Sequence, residues 1–133
     1  MTLRLLLDSD VVIRFLNGAA PEVRDRLLAL DDGEAALCSV VKAELLYGAR
    51  ASARVDDNLR WLDELFGVYG SLPFDDEAAA HYGVIRAQLR RAGTPIGAND
   101  MMIAGIALAR DVAVVTGNGR EFRRVPGLRV LDW

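Results

Sequence analysis

Several residue types are scarce in this sequence, and each scarcity excludes a class of protein. Cys38 is the only cysteine among 133 residues, which excludes an intrachain disulfide and a cysteine-based metal cluster. His81 is the only histidine, which argues against a serine–histidine or cysteine–histidine nucleophile. No apolar run reaches the ~18 residues of a membrane span, and no signal-peptide pattern opens the chain. We therefore expect a cytoplasmic protein with no membrane segment.

The overall composition predicts one globular domain spanning residues 1–133. Hydrophobic residues make up 52% and charged residues 26% of the chain, which is enough apolar material for a core and leaves no long disordered region. The net charge of −3 does not indicate a nucleic-acid binder, unless some of the acids are gathered at a metal site. One local basic cluster could contact phosphate, although a solvated surface face explains it equally well. Its members are Arg120, Arg123, Arg124 and Arg129.

Periodicity and turn signals predict alternating strands and helices. The predicted strands cover 3–7, 35–38, 72–74, 112–115 and 128–131. The predicted helices cover 11–16, 21–30, 40–50, 54–69, 75–91 and part of 97–110, with a loop or helical turn at 116–122. Ser9 or Asp10, Ser39 and Asp75 are the predicted N-caps. The resulting order, β-α-α-β-α-α-β-α-α-β-α-β, predicts an α/β fold with a parallel sheet of four to five strands and helices on both faces.

Asp100 stands at the start of a helix that is otherwise almost wholly apolar. Residues 101–109 carry no charge, so this helix is expected to be buried on most sides. An acid in the first turn of a helix can simply complement the helix dipole. A carboxylate next to buried apolar surface nevertheless needs a partner, and three other acids occupy comparable places.

Four acids follow or flank the carboxyl ends of predicted strands. Asp8 ends the first strand, and Glu44 lies in the helix after the second, where it could also be an ordinary surface residue. Asp100 begins the helix that precedes the strand at 112–115, and Glu121 follows the C-terminal end of that strand. In a parallel sheet these points converge on one edge, and cations would have to offset the repulsion between the carboxylates. Oxygen ligands favour Mg²⁺ or Mn²⁺, which can support hydrolysis of a phosphodiester.

Three segments in this order and spacing resemble the PIN-domain family, and within it the VapC toxins of bacterial type II toxin–antitoxin pairs. They are Leu7–Ile13, Ser39–Gly48 and Gly97–Ala104, and residues 115–128 resemble the closing motif. The resemblance implies that Asp8 and Asp100 bind the metal and that Glu44 belongs to the acidic pocket. Many PIN domains have an aspartate where this chain has Asn118. Glu121, three positions later, is therefore the candidate for the fourth catalytic acid, with Thr116, Asn118 and Ser39 holding the carboxylates by hydrogen bonds.

The same resemblance implies an activity and partners. It implies a Mg²⁺-dependent endoribonuclease that cleaves RNA, with initiator tRNA as a hypothesis, and so inhibits translation. The partners would be a cognate VapB antitoxin, whose C-terminal segment blocks the active-site groove, and a second copy of the chain in a homodimer. The expected clamp for the antitoxin is apolar surface around the first helices and the helix at 54–69, which carries Trp61 off its apolar stripe.

Two other interpretations of the sequence compete with the nuclease hypothesis. A non-catalytic RNA- or protein-binding domain could keep the fold with a weak metal site, and it would bind RNA without Mg²⁺ dependence. A phosphoacceptor domain resembling response regulators also gathers acids around Mg²⁺. That class needs a lysine late in the chain, whereas the only lysine here is Lys42.

Overall fold

The computed structural model describes residues 2–133, which form five strands and seven helices. The strands are β1 (Leu5–Leu7), β2 (Ala35–Cys38), β3 (Gly70–Leu72), β4 (Ala113–Thr116) and β5 (Val130–Asp132). The helices are α1 (Ser9–Leu16), α2 (Pro21–Leu28), α3 (Ser39–Arg50), α4 (Val55–Val68), α5 (Asp76–Ala92), α6 (Ala98–Arg110) and α7 (Gly119–Phe122). This order confirms the predicted one.

All five strands form one parallel sheet in the order β3-β2-β1-β4-β5. The central strand β1 pairs Leu6 with Ala36 on one side and with Val114 on the other. Strands β1, β2 and β4 are buried along their whole lengths, as expected for a parallel sheet covered by helices. Within residues 2–133, no helix is long and apolar enough to cross a membrane.

Helix α6 is the most deeply buried helix because apolar residues surround it. Ile103, Ala104, Ile106 and Ala107 have no exposed surface. Gly105 lets α5 approach closely, since a Cβ there would lie 2.8 Å from the carbonyl oxygen of Ala78. This packing fixes the first turn of α6, and with it Asp100, relative to the sheet.

Several predicted boundaries and caps were wrong. Strand β3 lies earlier than 72–74, because Pro73 has no N–H to donate to a ladder, although its predicted edge position is confirmed. Strand β5 lies later than 128–131, because Leu128 N–H closes a turn onto Val125 O at 3.3 Å. Helix α2 ends two residues before the predicted Leu30. The cap of α1 is Asp8 rather than Ser9 or Asp10.

Candidate active site

Asp8 occupies the centre of the carboxyl edge of the sheet, directly after β1. Its side chain is only 6% exposed, and Oδ1 accepts the Ser9 N–H at 2.8 Å as the N-cap of α1. Oδ2 accepts the hydroxyl of the fully buried Thr116 at 2.8 Å. Both oxygens therefore have fixed directions, set by a helix start and by the end of β4.

The segment after β4 continues this chain of hydrogen bonds. Asn118 N–H donates to Thr116 Oγ1 at 2.9 Å, and the Asn118 amide donates to Glu121 Oε2 at 3.3 Å. Thr116 and Asn118 thus contact carboxylates, as predicted. Glu121 is half-buried in α7, which a short turn places after the strand.

Glu44 reaches the site from α3. It is half-buried, and its Oε1 accepts the Ser9 hydroxyl at 3.4 Å, which links it to the start of α1. The roles predicted for Ser39 were wrong: it is the first residue of α3 rather than its cap, and its hydroxyl donates to Leu72 O at 3.4 Å instead of to a carboxylate. Extended backbone at Cys38 brings β2 directly into the helix.

Burial and mutual repulsion raise the pKa values of two of the four predicted acids, Asp8 and Asp100. Burial raises the pKa of Asp8 to about 6, with Asp10 and Glu44 adding repulsion and hydrogen bonds from Thr116 and Ser9 opposing it. Burial also raises the pKa of Asp100 to about 7, together with a hydrogen bond shared with Glu121 and repulsion from Asp8, Glu121 and Glu44. The fold thus places the four sequence-predicted acids in one electrostatic site.

Asp10 is a further residue at this site that sequence reasoning considered only as a helix cap. Its Oδ2 accepts the Gly117 N–H at 2.9 Å, and its Oδ1 lies 3.5 Å from Thr116 Oγ1. A Cβ at Gly117 would overlap with the side chains of Asp10 and Arg14, so this close approach depends on glycine. Asp10 therefore ties α1 to the segment that leads to Glu121. No periodicity could reveal this contact, because it joins residues more than a hundred positions apart.

An apolar groove lies beside the acids, and we call it the Trp61 groove. It has a volume of about 430 Å³ and lies between α1, α3 and α4. Trp61 is 59% exposed there, as its position off the apolar stripe of α4 predicted. Other lining residues include Ile13, Leu16, Leu45 and Leu62, and Glu44 joins the groove to the acidic site.

Two of the four arginines of the predicted cluster form ion pairs with acids. Arg123 pairs with Asp132, and Arg129 Nη2 lies 3.0 Å from Asp111 Oδ1. Arg120, next to Glu121 and exposed, forms no ion pair with any of residues 2–133.

Comparisons with known proteins agree on one family. The family model described as PIN domain matches residues 5–128. The tRNA(fMet)-specific endonuclease VapC of Salmonella typhimurium is 39% identical over 131 residues, and that of Shigella flexneri is 40% identical; each match covers 98% of both chains. The crystal structure of DNA-bound VapBC from Salmonella typhimurium matches with a TM-score of 0.93 and 39% identity over 99% of both chains. This chain belongs to the PIN-domain family, in its VapC group.

Proposed function

We propose that this protein is a Mg²⁺-dependent endoribonuclease, the toxin of a VapBC pair, that hydrolyses phosphodiester bonds in RNA and so inhibits translation. The observation that carries the proposal is the convergence of four acids on one sheet edge, where the pKa values of Asp8 and Asp100 are raised to about 6 and about 7. Clustered carboxylates with raised pKa values are a feature of functional sites rather than of ordinary surfaces.

The donor set fits a hard divalent cation. All four acids offer oxygen atoms, which Mg²⁺ and Mn²⁺ prefer over the nitrogen and sulfur ligands typical of zinc. No group of three or more His, Cys, Asp or Glu side chains among residues 2–133 is arranged to hold an ion. Mg²⁺ is nevertheless commonly bound through only one or two carboxylates and several waters. Asp8 and Asp100 would be those two ligands, and the cation would displace the protons that their raised pKa values favour.

A bound divalent cation would supply Lewis-acid stabilisation of charge on the phosphate and make a water more acidic. The chain's own contribution is orientation. The Ser9 N–H and the Thr116 hydroxyl hold the two oxygens of Asp8, so that this ligand does not have to reorient. Glu44 and Glu121 flank the pair and would orient the attacking water and accept its proton.

The relatives suggest the substrate and the partner. Two of them are named tRNA(fMet)-specific endonucleases, and we propose initiator tRNA as the substrate of this chain as well. The similar crystal structure is of a VapBC complex, and we propose that a VapB-type antitoxin occupies the Trp61 groove and that the toxin forms a homodimer. An apolar groove that ends at the acidic site suits a segment which anchors by apolar side chains and blocks the site.

Cleavage of purified initiator tRNA tests the proposal. The native chain should yield discrete fragments with Mg²⁺ and none with excess chelator. Asp100→Asn should yield none, whereas Asp32→Asn, in the exposed loop before β2, should cleave normally. RNA that stays uncut by folded native protein but still binds without Mg²⁺ would favour the non-catalytic binding domain instead.

A further inference from the structure

A second cavity opens beside the acidic site, and we call it the Tyr47 cavity. It has a volume of about 620 Å³, within the range of roughly 300–1,000 Å³ typical of small-molecule sites. It shares Ile13 and Glu44 with the Trp61 groove, but Tyr47, Asn99 and Met102 line it where Trp61 and Leu62 line the groove. Most residues that line the cavity are therefore not part of the groove proposed for the antitoxin.

Tyr47 presents an aromatic ring to this cavity. It lies one turn after Glu44 on α3, so both side chains project from the same side of the helix. The side chain is 75% exposed. Within residues 2–133, the ring packs against no other aromatic ring and has no cation over its face. An unpacked ring beside a nuclease site is a platform on which a nucleic-acid base can stack.

Asn99 supplies the polar group that such a platform needs. It immediately precedes Asp100 in α6, and its side chain is exposed at the cavity. A side-chain amide both donates and accepts hydrogen bonds, which suits the edge of an unpaired base.

The charges of the side chains that line the Tyr47 cavity indicate which part of an RNA molecule it would bind. No Lys or Arg lines the cavity, and Glu44 would repel a phosphate. Ile13, Val40, Ala43 and Met102 provide apolar surface. A neutral, flat, hydrogen-bonding group is therefore favoured over the charged backbone.

We propose that the Tyr47 cavity binds the base of the nucleotide next to the cleaved phosphodiester. Tyr47 stacks on this base and Asn99 bonds to its edge, so the cavity selects which bond in an unpaired RNA segment reaches the acids. The inference rests on the proposed nuclease function and adds a specificity site to it.

Steady-state cleavage of initiator tRNA tests the stacking. Tyr47→Ala should raise KM about tenfold while kcat changes little, as expected for the loss of one base–aromatic stack. Tyr47→Phe keeps the ring and should retain the native KM. Leu28→Ala is the matched control, because Leu28 is 73% exposed on α2, outside the lining of the cavity. Unchanged KM in Tyr47→Ala, or an equal rise in Leu28→Ala, would overturn the proposal.

Abasic substrates identify which nucleotide supplies the base that stacks on Tyr47. Once the native cut is mapped, the nucleotide before it and the nucleotide after it are each replaced by an abasic residue. At one of these positions the abasic RNA should be cleaved with a raised KM, and Tyr47→Ala should add no further rise, because the partner of the ring is already gone. A full tenfold effect of Tyr47→Ala on both abasic RNAs would rule out stacking.

Asn99→Ala should weaken the preference for the native base at that position without abolishing cleavage. An unchanged base preference would overturn the hydrogen bond assigned to Asn99. These outcomes differ from failure of the proposed function, in which the native chain itself would not cleave RNA.

Discussion

Asp8 and Asp100 are carboxylates that the fold holds in an unfavourable environment. Their pKa values are about 6 and about 7, against an ordinary value of 3.8, chiefly because burial penalises the charged form. The folded protein therefore binds more protons than the unfolded chain between about pH 4 and pH 7. Since stability falls with rising pH where the folded state binds more protons, the free energy of unfolding of the metal-free protein should decrease across this window.

Asp100→Asn should remove part of this pH dependence. Without metal, the variant should unfold at a higher temperature than the native chain at pH 7, since an uncharged amide avoids both the burial penalty and the repulsion. Adding Mg²⁺ should raise the unfolding temperature of the native chain and have little effect on Asp100→Asn. Thermal unfolding from pH 4 to pH 8, with and without Mg²⁺, measures all of these effects.

Asp75 provides a control in which the pKa of a carboxyl group is shifted in the opposite direction. The N–H of Ala78 lowers the pKa of Asp75, and Arg110 lowers it further, so its charge stabilises the fold above pH 4. Asp75→Asn should therefore destabilise the protein at neutral pH. If Asp100→Asn instead destabilised the metal-free protein as Asp75→Asn does, this would disprove the inference that burial and repulsion of the Asp100 charge destabilise the metal-free fold.

Asp10 is expected to act as a positioning residue. Asp10→Ala removes the acceptor for the Gly117 N–H, which should loosen the segment carrying Glu121 and lower kcat by about tenfold, with little change in KM. Asp10→Asn keeps an acceptor oxygen and should restore most of kcat. Equal losses in both variants would show that the charge of Asp10, rather than its hydrogen bond to Gly117, is what matters.

At the scale of elements, local patterns were sufficient for the order of strands and helices but not for their ends. The continuous apolar β4 and the amphipathic α4 follow directly from period and residue type. The start of α1 depends instead on which of three adjacent polar residues caps it, and Asp8 does so because its backbone is extended. The convergence of the four acids followed from topology, whereas Asp10, Tyr47 and Asn99 become informative only when distant segments meet.

The packing of α5 on α6 gives a prediction at this scale. Gly105→Ala would push a methyl group against the backbone of Ala78, with Tyr82 N 3.3 Å away, so it should destabilise the protein by about 1–3 kcal/mol. Gly83→Ala on α5 is the matched control, because a Cβ there meets nothing within 4 Å. That variant should be neutral or stabilising by up to ~1 kcal/mol, since alanine favours helix. Chemical denaturation of both variants measures the difference, and equal stabilities would contradict close packing at Gly105.

The exposed face of α4 gives a second prediction at the scale of elements. Trp61→Ala should weaken binding of the cognate antitoxin by about 30-fold, because a tryptophan in an apolar groove is a typical energetic anchor. Val84→Ala, whose side chain on α5 is exposed to a similar extent (57% against 59%), should bind normally. Calorimetric titration with the antitoxin compares the variants, and undiminished affinity of Trp61→Ala would disprove the proposed clamp.

At the scale of the whole molecule, the net negative charge is unfavourable for binding RNA, which the proposed function requires. The net charge is −3, so the chain as a whole does not attract RNA, and local arginines must do so. Ion pairs with Asp132 and Asp111 largely neutralise Arg123 and Arg129. Arg120 remains the exposed cation adjacent in sequence to the acidic site.

Arg120 should therefore contribute disproportionately to RNA binding. Each phosphate contact made by a cation contributes about one unit to the dependence of log affinity on log salt concentration. Arg120→Ala should raise KM for initiator tRNA and reduce this salt slope by about one. Arg24→Ala, which removes a cation paired with Asp25 on α2, should change neither quantity. If both variants behaved alike, RNA would respond to the net charge of the molecule rather than to an arginine placed beside the acids.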